Sequence, residues 1–351
     1  MTPKPFIHPE ILLKIKETVG GLAERADQPT YNNARTSGQE FADNIIKQMF
    51  ALPEYGVIES HFNTERLSSS RFSDFRSQIV SIHHQRQRFD QEISDWTKRQ
   101  NEISTDLERR SRSLFRFFFK KKIVSLTEQL EEANEKLTLL LSANTESYIQ
   151  LNYQFENPNV KADFSDLFSA FTTMHTSAKI WDVLTNQINL ETKAAASTLI
   201  DRKEVKFDFK SIAIIQTAEH VMHWENSNGG DFFFYPHFII YYKNRDEIAV
   251  IDYRELQIHY QEQRFLETAK DIPSDTAVAG ETWYRVNKDG SPDRRFAGNY
   301  KIPVVLYGAL QFKSVSGINE LYYISDHNKA EHFWVQYQRY QQAERNTYYE
   351  I

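Results

Sequence analysis

The chain has no cysteine among its 351 residues. This absence excludes disulfide bonds, thiolate catalysis and cysteine-ligated zinc sites, and it favours the cytoplasm, where disulfide-stapled folds are rare. Long apolar runs are missing too, because no stretch of roughly 18 apolar residues occurs, and we expect no transmembrane helix. The opening residues show neither the apolar core nor the small-residue cleavage site of a signal peptide. We therefore expect a cytoplasmic protein.

An excess of charge of one sign is also lacking. The chain has 42 Lys and Arg residues against 48 Asp and Glu residues, which gives a formal net charge of −6. That balance excludes a general polyanion binder, so a basic surface would have to be local. The length is sufficient for two or three domains, and a content of 40% hydrophobic and 26% charged residues is typical of a soluble globular protein.

Sequence signatures of catalysis are missing as well. The chain contains no nucleophile elbow, phosphate-binding loop or dinucleotide fingerprint. Four histidines, His220, His223, His237 and His259, lie in the predicted strand region without the spacing of a zinc site. We expect these histidines to be structural, and we expect neither a metal site nor a cofactor.

Glycine and proline are absent from Leu67 through Asn157. Because these two residues punctuate most loops, their absence over so long a stretch predicts helix. Apolar residues recur there at alternating steps of three and four, which is typical of the heptad seam of a coiled coil. Arg86 and Gln100 are polar interruptions that would fix its register. The seam consists of Phe72, Phe75, Ile79, Ile82, Arg86, Phe89, Ile93, Trp96, Gln100, Ile103 and Leu107.

The heptad phase breaks between residues 110 and 124, and a second, offset series begins at Leu126. Two arms of similar length favour a long antiparallel coiled-coil hairpin, in which each seam covers the other. One continuous helix is the alternative. Self-association through the coiled coil would make the protein a homo-oligomer.

Strand-like segments dominate after residue 203. Stretches such as DFFFYPHFIIYYKN and KIPVVLYGALQFKS are rich in aromatic and β-branched residues, and turn sequences such as NSNGGD separate them. A final helix begins near Ser325 or Asp326, either of which can cap its first turn. A β-rich module closed by a C-terminal helix has the plan of a pleckstrin-homology-like barrel; another small α+β module and an open sheet are the alternatives. The apolar face of that helix carries Ala330, Phe333, Trp334, Tyr337 and Tyr340.

We therefore predict an α+β, multidomain chain. Residues after Pro158 are assigned to further helices because Phe164, Leu167 and Phe168 recur at helical spacing. The predicted regions are a helical lead-in over residues 1–66, the coiled-coil hairpin over residues 67–157, a helical connector over residues 158–203 and the β-rich module over residues 204–351.

Four stretches of the chain carry a resemblance to other proteins: IWDVLT, GGDFFFYPHFIIYY, TWYRVNKDGSPDRRFAGNYKIPVVLYGALQF and SGINELYYIS. Over about residues 170–340 the chain resembles an uncharacterised group of bacterial coiled-coil proteins. The resemblance implies a bacterial origin and the order of helices before sheet. It implies no activity, substrate or catalytic residue.

The break between the two arms carries a dense cluster of positive charge. Residues 109–122 contain seven cations, four phenylalanines and no acid. Such a mixture suits an anionic membrane surface, or nucleic acid with bases stacked on the rings. It also suits a protein partner, or a hairpin end in which the phenylalanines join the two arms and the cations are solvated. The candidate residues are Arg112, Arg116, Phe118, Phe119, Lys120, Lys121 and Lys122.

The segment NKDGSPDRRF at residues 287–296 is a second candidate site. Asp289, Asp293, Arg294 and Arg295 bring carboxylates and guanidinium groups close together. Because arginine forks bind phosphate and carboxylate groups, the loop is a candidate contact for an anion or a peptide. A plain turn between strands is the alternative without function. A metal-assisted hydrolase or nuclease is the enzyme alternative, and it needs further carboxylates or histidines near Asp293.

These patterns favour a non-enzymatic bacterial interaction or scaffold protein. We expect a protein partner, whose identity the sequence does not specify. We also expect a cytoplasmic location, with peripheral contact to an anionic membrane or to nucleic acid through residues 109–122 as a further role.

Overall fold

The computed structural model describes residues 56–60, 64–155, 157–188, 198–287 and 290–349 of the chain. Most of the helical lead-in predicted for residues 1–66 lies outside these ranges. Its described part is not purely helical, because Gly56–Val57 forms a strand that pairs with a later strand of the body.

The fold is mixed α+β, as the sequence predicts. The helices are α1 (Thr64–Leu67), α2 (Ser73–Ser111), α3 (Lys120–Glu146), α4 (Pro158–Met174) and α5 (His327–Tyr349). The strands are β1 (Gly56–Val57), β2 (Ile149–Leu151), β3 (Ile180–Ile188), β4 (Thr198–Glu204), β5 (Phe207–Phe209), β6 (Ile215–Thr217), β7 (Met222–Trp224), β8 (Asp231–Tyr235), β9 (Phe238–Tyr242), β10 (Ile248–Ile251), β11 (Gln257–Leu266), β12 (Ala277–Trp283), β13 (Lys301–Lys313) and β14 (Asn319–Ile324).

Two antiparallel sheets form the body of the protein. The seven-stranded sheet has the order β1-β3-β14-β13-β11, with β4 added to β3 and β12 added to β13. The five-stranded sheet has the order β10-β9-β8-β7-β5, and β2 pairs with β6 in a small parallel pair. Their inner faces share one aromatic core, in which the ring centroids of Trp224 and Tyr322 are 5.4 Å apart and those of Phe232 and Phe312 are 5.7 Å apart.

The C-terminal helix α5 packs against this core. The carboxylate of Asp326 caps its first turn by accepting from the backbone N–H groups of Asn328 (3.1 Å) and Lys329 (3.3 Å), which confirms one of the two predicted caps. Phe333 is fully buried, whereas Trp334 is half-buried and donates its indole N–H to the backbone oxygen of Ile258 at 2.9 Å. The apolar stripe of the helix therefore faces the seven-stranded sheet.

The first turns of α2 are fixed to the outer face of the five-stranded sheet. Ile79 is fully buried there, and the rings of Phe75 and Phe238 meet edge to face at 5.2 Å. The guanidinium of Arg76 donates to the backbone oxygen of Ile248 at 2.7 Å. Apolar packing and a partly buried hydrogen bond thus hold the base of this helix against the sheet.

Helices α2 and α3 lie side by side and run in opposite directions. Asn144 near the end of α3 donates to Asp90 at 2.9 Å, and Gln100 donates to Asn134 at 2.7 Å further along. Arg86, the other polar interruption of the seam, donates to the backbone oxygen of Ser147 at 3.1 Å. All eleven seam residues are buried or half-buried within the single chain. Self-association is therefore not needed to cover the seam.

The helical assignment of residues 158–203 is correct only as far as α4. Residues 180–188 and 198–204 form strands β3 and β4 of the seven-stranded sheet, so the assignment is wrong there. The reason is a period of two: Trp181 and Val183 cover the outer face, while Ile180 and Asp182 point into the main core. The predicted boundary at residue 204 consequently separates strands that share one sheet.

Among the residues that the structure describes, no helix has both the length and the apolarity needed to cross a bilayer.

Candidate functional site

The far end of the α2–α3 pair, residues 109–122, is called the tip below. Helix α2 has 39 residues, which at about 1.5 Å per residue gives a length of about 58 Å. It ends at Ser111, a short 3₁₀ turn spans Arg116–Phe119, and α3 begins at Lys120. The turn forms without glycine or proline, through backbone hydrogen bonds such as that from the N–H of Phe118 to the oxygen of Phe115 at 3.0 Å.

Large apolar side chains project from the tip into solvent. Only Phe119 among the four phenylalanines is half-buried, and the guanidinium of Arg110 lies 5.1 Å from the centroid of its ring. The expectation that the phenylalanines join the two arms therefore holds for Phe119 alone. The exposed fractions of the other large apolar residues are 98% for Leu114, 67% for Phe115, 69% for Phe117 and 82% for Phe118.

The cations of the tip divide into two groups. On the α2 side, Arg109 and Arg110 both form ion pairs with Asp106, and Arg112 lies 3.7 Å from Glu108. Hydrogen bonds from Arg110 and Arg109 lower the pKa of the Asp106 carboxyl. These three arginines are thus partly neutralised by acids of their own helix.

The second group lies in the turn and directly after it. Arg116, Lys121 and Lys122 are exposed and form no ion pair with an acid within the described ranges of the chain. Lys120 lies over the ring of Phe117, with its ammonium 4.4 Å from the ring centroid. Unneutralised cations therefore stand directly beside the exposed rings, an arrangement that can meet a surface that is both apolar and anionic.

The loop at residues 287–296 has a different character. Asp293 is buried, and its carboxylate accepts from the backbone N–H of Arg295 at 3.1 Å and from its Nε at 2.9 Å. This pairing raises the pKa of the Arg295 guanidinium. Arg294 is exposed, and Asp289 lies outside the described residues. The structure brings Asp293 and Arg295 together as an ion pair between a buried carboxylate and an exposed guanidinium.

The metal-assisted alternative needs several ligating side chains around Asp293. No group of three or more His, Asp or Glu side chains placed to hold a metal ion occurs among the described residues. The predicted histidines do not converge. His223 lies between Asp208 (2.6 Å) and Asp231 (2.9 Å), whereas His237 pairs with Glu344 at 2.8 Å.

A buried acidic pair is the main polar feature that sequence reasoning missed. Asp182 and Glu320 are both fully buried on the inner face of the seven-stranded sheet. The carboxylate of Asp182 accepts from the backbone N–H of Ser227 at 2.8 Å, and that of Glu320 accepts from the N–H of Ser60 at 3.1 Å. Burial, with Asp182 nearby, raises the pKa of Glu320 to about 8. The only sequence signal was an acid at an inward position of an alternating strand.

Comparison with protein families, with curated proteins and with solved structures gave no match for this chain.

Proposed function

We propose that this chain is a non-enzymatic interaction protein in which a β-rich body holds a coiled-coil hairpin that binds a partner through its tip. The exposure of Leu114, Phe115, Phe117 and Phe118 beside unneutralised cations carries the proposal. Covering a large apolar side chain is worth about 1.5–3 kcal/mol, so four of them form a strong potential contact. Contiguous exposed apolar residues rimmed by polar ones are typical of interaction sites.

The coiled-coil description of α2 and α3 is supported by the spacing and burial of the seam. Leu126, Ala133, Leu137 and Leu140 of α3 are buried at steps of seven, four and three, which matches heptad packing. Gln100 and Asn134 form a polar pair across the interface, as expected of residues that fix register. This geometry would present the tip at the end of a stiff arm.

The pleckstrin-homology-like description of the body has support from α5, which lies on the sheet through Phe333 and Tyr337. The seven-stranded sheet also takes strands β1, β3 and β4 from before the predicted module. A module of this type would therefore have to include these three strands.

Site-specific labelling tests the proposed function. Because the chain has no cysteine, Ser111→Cys creates a single site for an environment-sensitive dye at the tip and leaves the four apolar side chains intact. We expect a blue shift of the dye emission when the tip is buried by the soluble-protein, nucleic-acid or membrane fraction of a bacterial extract. Excess unlabelled protein should reverse the shift.

Ser94→Cys, at an exposed position midway along α2, is the matched control and should not respond. A competitor carrying Leu114→Ser and Phe118→Ser should fail to reverse the shift at the tip. If no fraction shifts the dye at position 111, or if the control shifts equally, the tip is not the contact surface.

A further inference from the structure

We infer that the partner of the tip is the surface of an anionic lipid bilayer. This inference rests on the proposed function, because it names the partner class of the same tip. Leu114, Phe115, Phe117 and Phe118 would enter the interface between headgroups and acyl chains, and Arg116 with Lys120, Lys121 and Lys122 would lie among the phosphates.

The shape of the apolar surface favours lipid over a folded partner. Leu114 is almost completely exposed, and the rings of Phe117 and Phe118 meet edge to face, with centroids 6.2 Å apart. Side chains that project from a convex end need a matching pocket on a protein partner. A lipid interface adapts to any convex apolar end, because its molecules rearrange around the inserted side chains.

The distribution of charge favours an orientation with the tip towards the lipid. Residues 113–127 contain four cations and no acid, while the whole chain has a net charge of −6, so the rest of the chain is more acidic still. An anionic surface would attract the tip and repel the body. Helix α2 is several times longer than the Debye length of about 8 Å, so the body would stand outside the range of this repulsion.

Nucleic acid is less well matched to the same residues. Exposed Leu114 has no flat ring on which a base can stack, and it lies at the most exposed point of the tip. Arg109, Arg110 and Arg112, the cations that would extend a phosphate contact along the helix, already pair with Asp106 and Glu108. The remaining cations form a compact cluster around the turn.

Flotation of the full chain with lipid vesicles tests the inference. We expect binding to vesicles of phosphatidylcholine that contain about 30% phosphatidylglycerol, and much weaker binding to phosphatidylcholine alone. A cation near an anionic bilayer is worth roughly fivefold in affinity, so Lys120→Gln, Lys121→Gln and Lys122→Gln together should weaken binding by up to about a hundredfold. The matched control replaces Arg88, Lys98 and Lys136, three exposed cations of the arms, with Gln and should leave binding within about twofold.

The apolar part is tested separately. Leu114→Ser with Phe118→Ser should reduce binding at least tenfold, whereas Leu139→Ser with Leu141→Ser, an exposed apolar pair on α3, should not. All these positions are exposed, so an unchanged circular dichroism spectrum and Tm will show that each variant folds. A nitroxide attached to the acyl chains should quench a dye at position 111.

Failure of this inference is distinguishable from failure of the proposed function. Binding to a DNA duplex or to soluble protein without binding to anionic vesicles overturns the lipid assignment and leaves the tip as a contact surface. Equal binding to both vesicle types overturns the role of the cations. If the tip dye responds to no cell fraction and to no vesicle, both proposals are wrong.

Discussion

Asp182 of β3 lies directly opposite Tyr322 of β14 in the antiparallel pairing of the two strands. Glu320 precedes Tyr322 by two residues, so alternation places the three side chains on the same inner face of the seven-stranded sheet. All three are fully buried, and burial is the main cause of the raised pKa of both carboxyl groups. Protonation of this cluster is therefore linked to the stability of the sheet.

We expect the contribution of Glu320 to the free energy of unfolding to fall as the pH rises from about 4.5 to 8. In the fold the pKa of Glu320 is raised from 4.5 to about 8, so its full contribution to stability is present below the unfolded value and is lost through this window. The slope should reach at most about 1.4 kcal/mol per pH unit for this group. Urea unfolding at a series of pH values measures it. Glu320→Gln should flatten the slope, whereas Glu128→Gln, at an exposed position of α3, should preserve it. Equal slopes in all three proteins would contradict this account.

Helix α5 should depend more on Phe333 than on its neighbour Trp334. Phe333 is fully buried against Phe171 and Trp224, so Phe333→Ala should cost about 3–5 kcal/mol. Trp334 is half-buried, and its replacement by Ala should cost less, although one hydrogen bond to Ile258 is lost. Chemical denaturation of both variants tests the order. If Trp334→Ala lowers the free energy of unfolding more than Phe333→Ala does, contacts at the edge of the sheet, and not those in the core, hold the helix.

Gly308 of β13 permits the close approach of α5 to the sheet. A Cβ atom built at position 308 would stand 2.4 Å from the Cβ of Ala330, well inside van der Waals contact. Gly308→Ala should therefore destabilise the protein by about 1–3 kcal/mol through overpacking. Ala330→Gly alone should cost about 0.5–1 kcal/mol because glycine weakens a helix. The double variant should be more stable than Gly308→Ala alone. If the loss of stability in the double variant equals the sum of the losses in the two single variants, the contact between positions 308 and 330 does not limit how closely α5 approaches the sheet.

The buried carboxylate of Asp293 should stabilise its loop by accepting hydrogen bonds from Arg295. Asp293→Ala removes a buried acceptor and should lower the free energy of unfolding by about 1–3 kcal/mol. Arg294→Ala, on the exposed neighbour, should leave the Tm unchanged and serves as the control. Thermal unfolding followed by circular dichroism compares the two. If the Asp293→Ala variant is as stable as the unchanged protein, the Asp293 carboxylate has no structural role and is again a candidate group for ligand binding.

Periodic patterns explain how much of the fold could be predicted from the sequence. The steps of three and four from Phe72 to Leu107 are a local property of one helical segment, and all of these residues are buried or half-buried. Strand β3 was missed because the segment that follows it is rich in residues that also favour helices, and because its partners β1 and β14 are distant in the chain. Sheet membership depends on such distant pairings, which local propensity does not encode.

At the tip, too, the sequence predicts the position of a feature but not the directions of its side chains. The sequence places the break and the cations correctly, but the directions of the phenylalanine side chains follow from the 3₁₀ turn at Arg116–Phe119. No glycine or proline marks that turn. The burial of Glu320 likewise follows from tertiary packing, because glutamate is far more often found at a surface.

The pairing of β1 with β3 has a consequence for how the chain is built. These strands are neighbours in one sheet, although both long helices lie between them in the sequence. The end of α3 also meets α2 near its base, where Arg86 donates to the backbone oxygen of Ser147 at 3.1 Å. The helices are thus an insertion whose exit lies beside its entrance. A short turn in place of residues 87–146 would remove no residue of any described strand, so the length of the arm is independent of the strand order of the sheets.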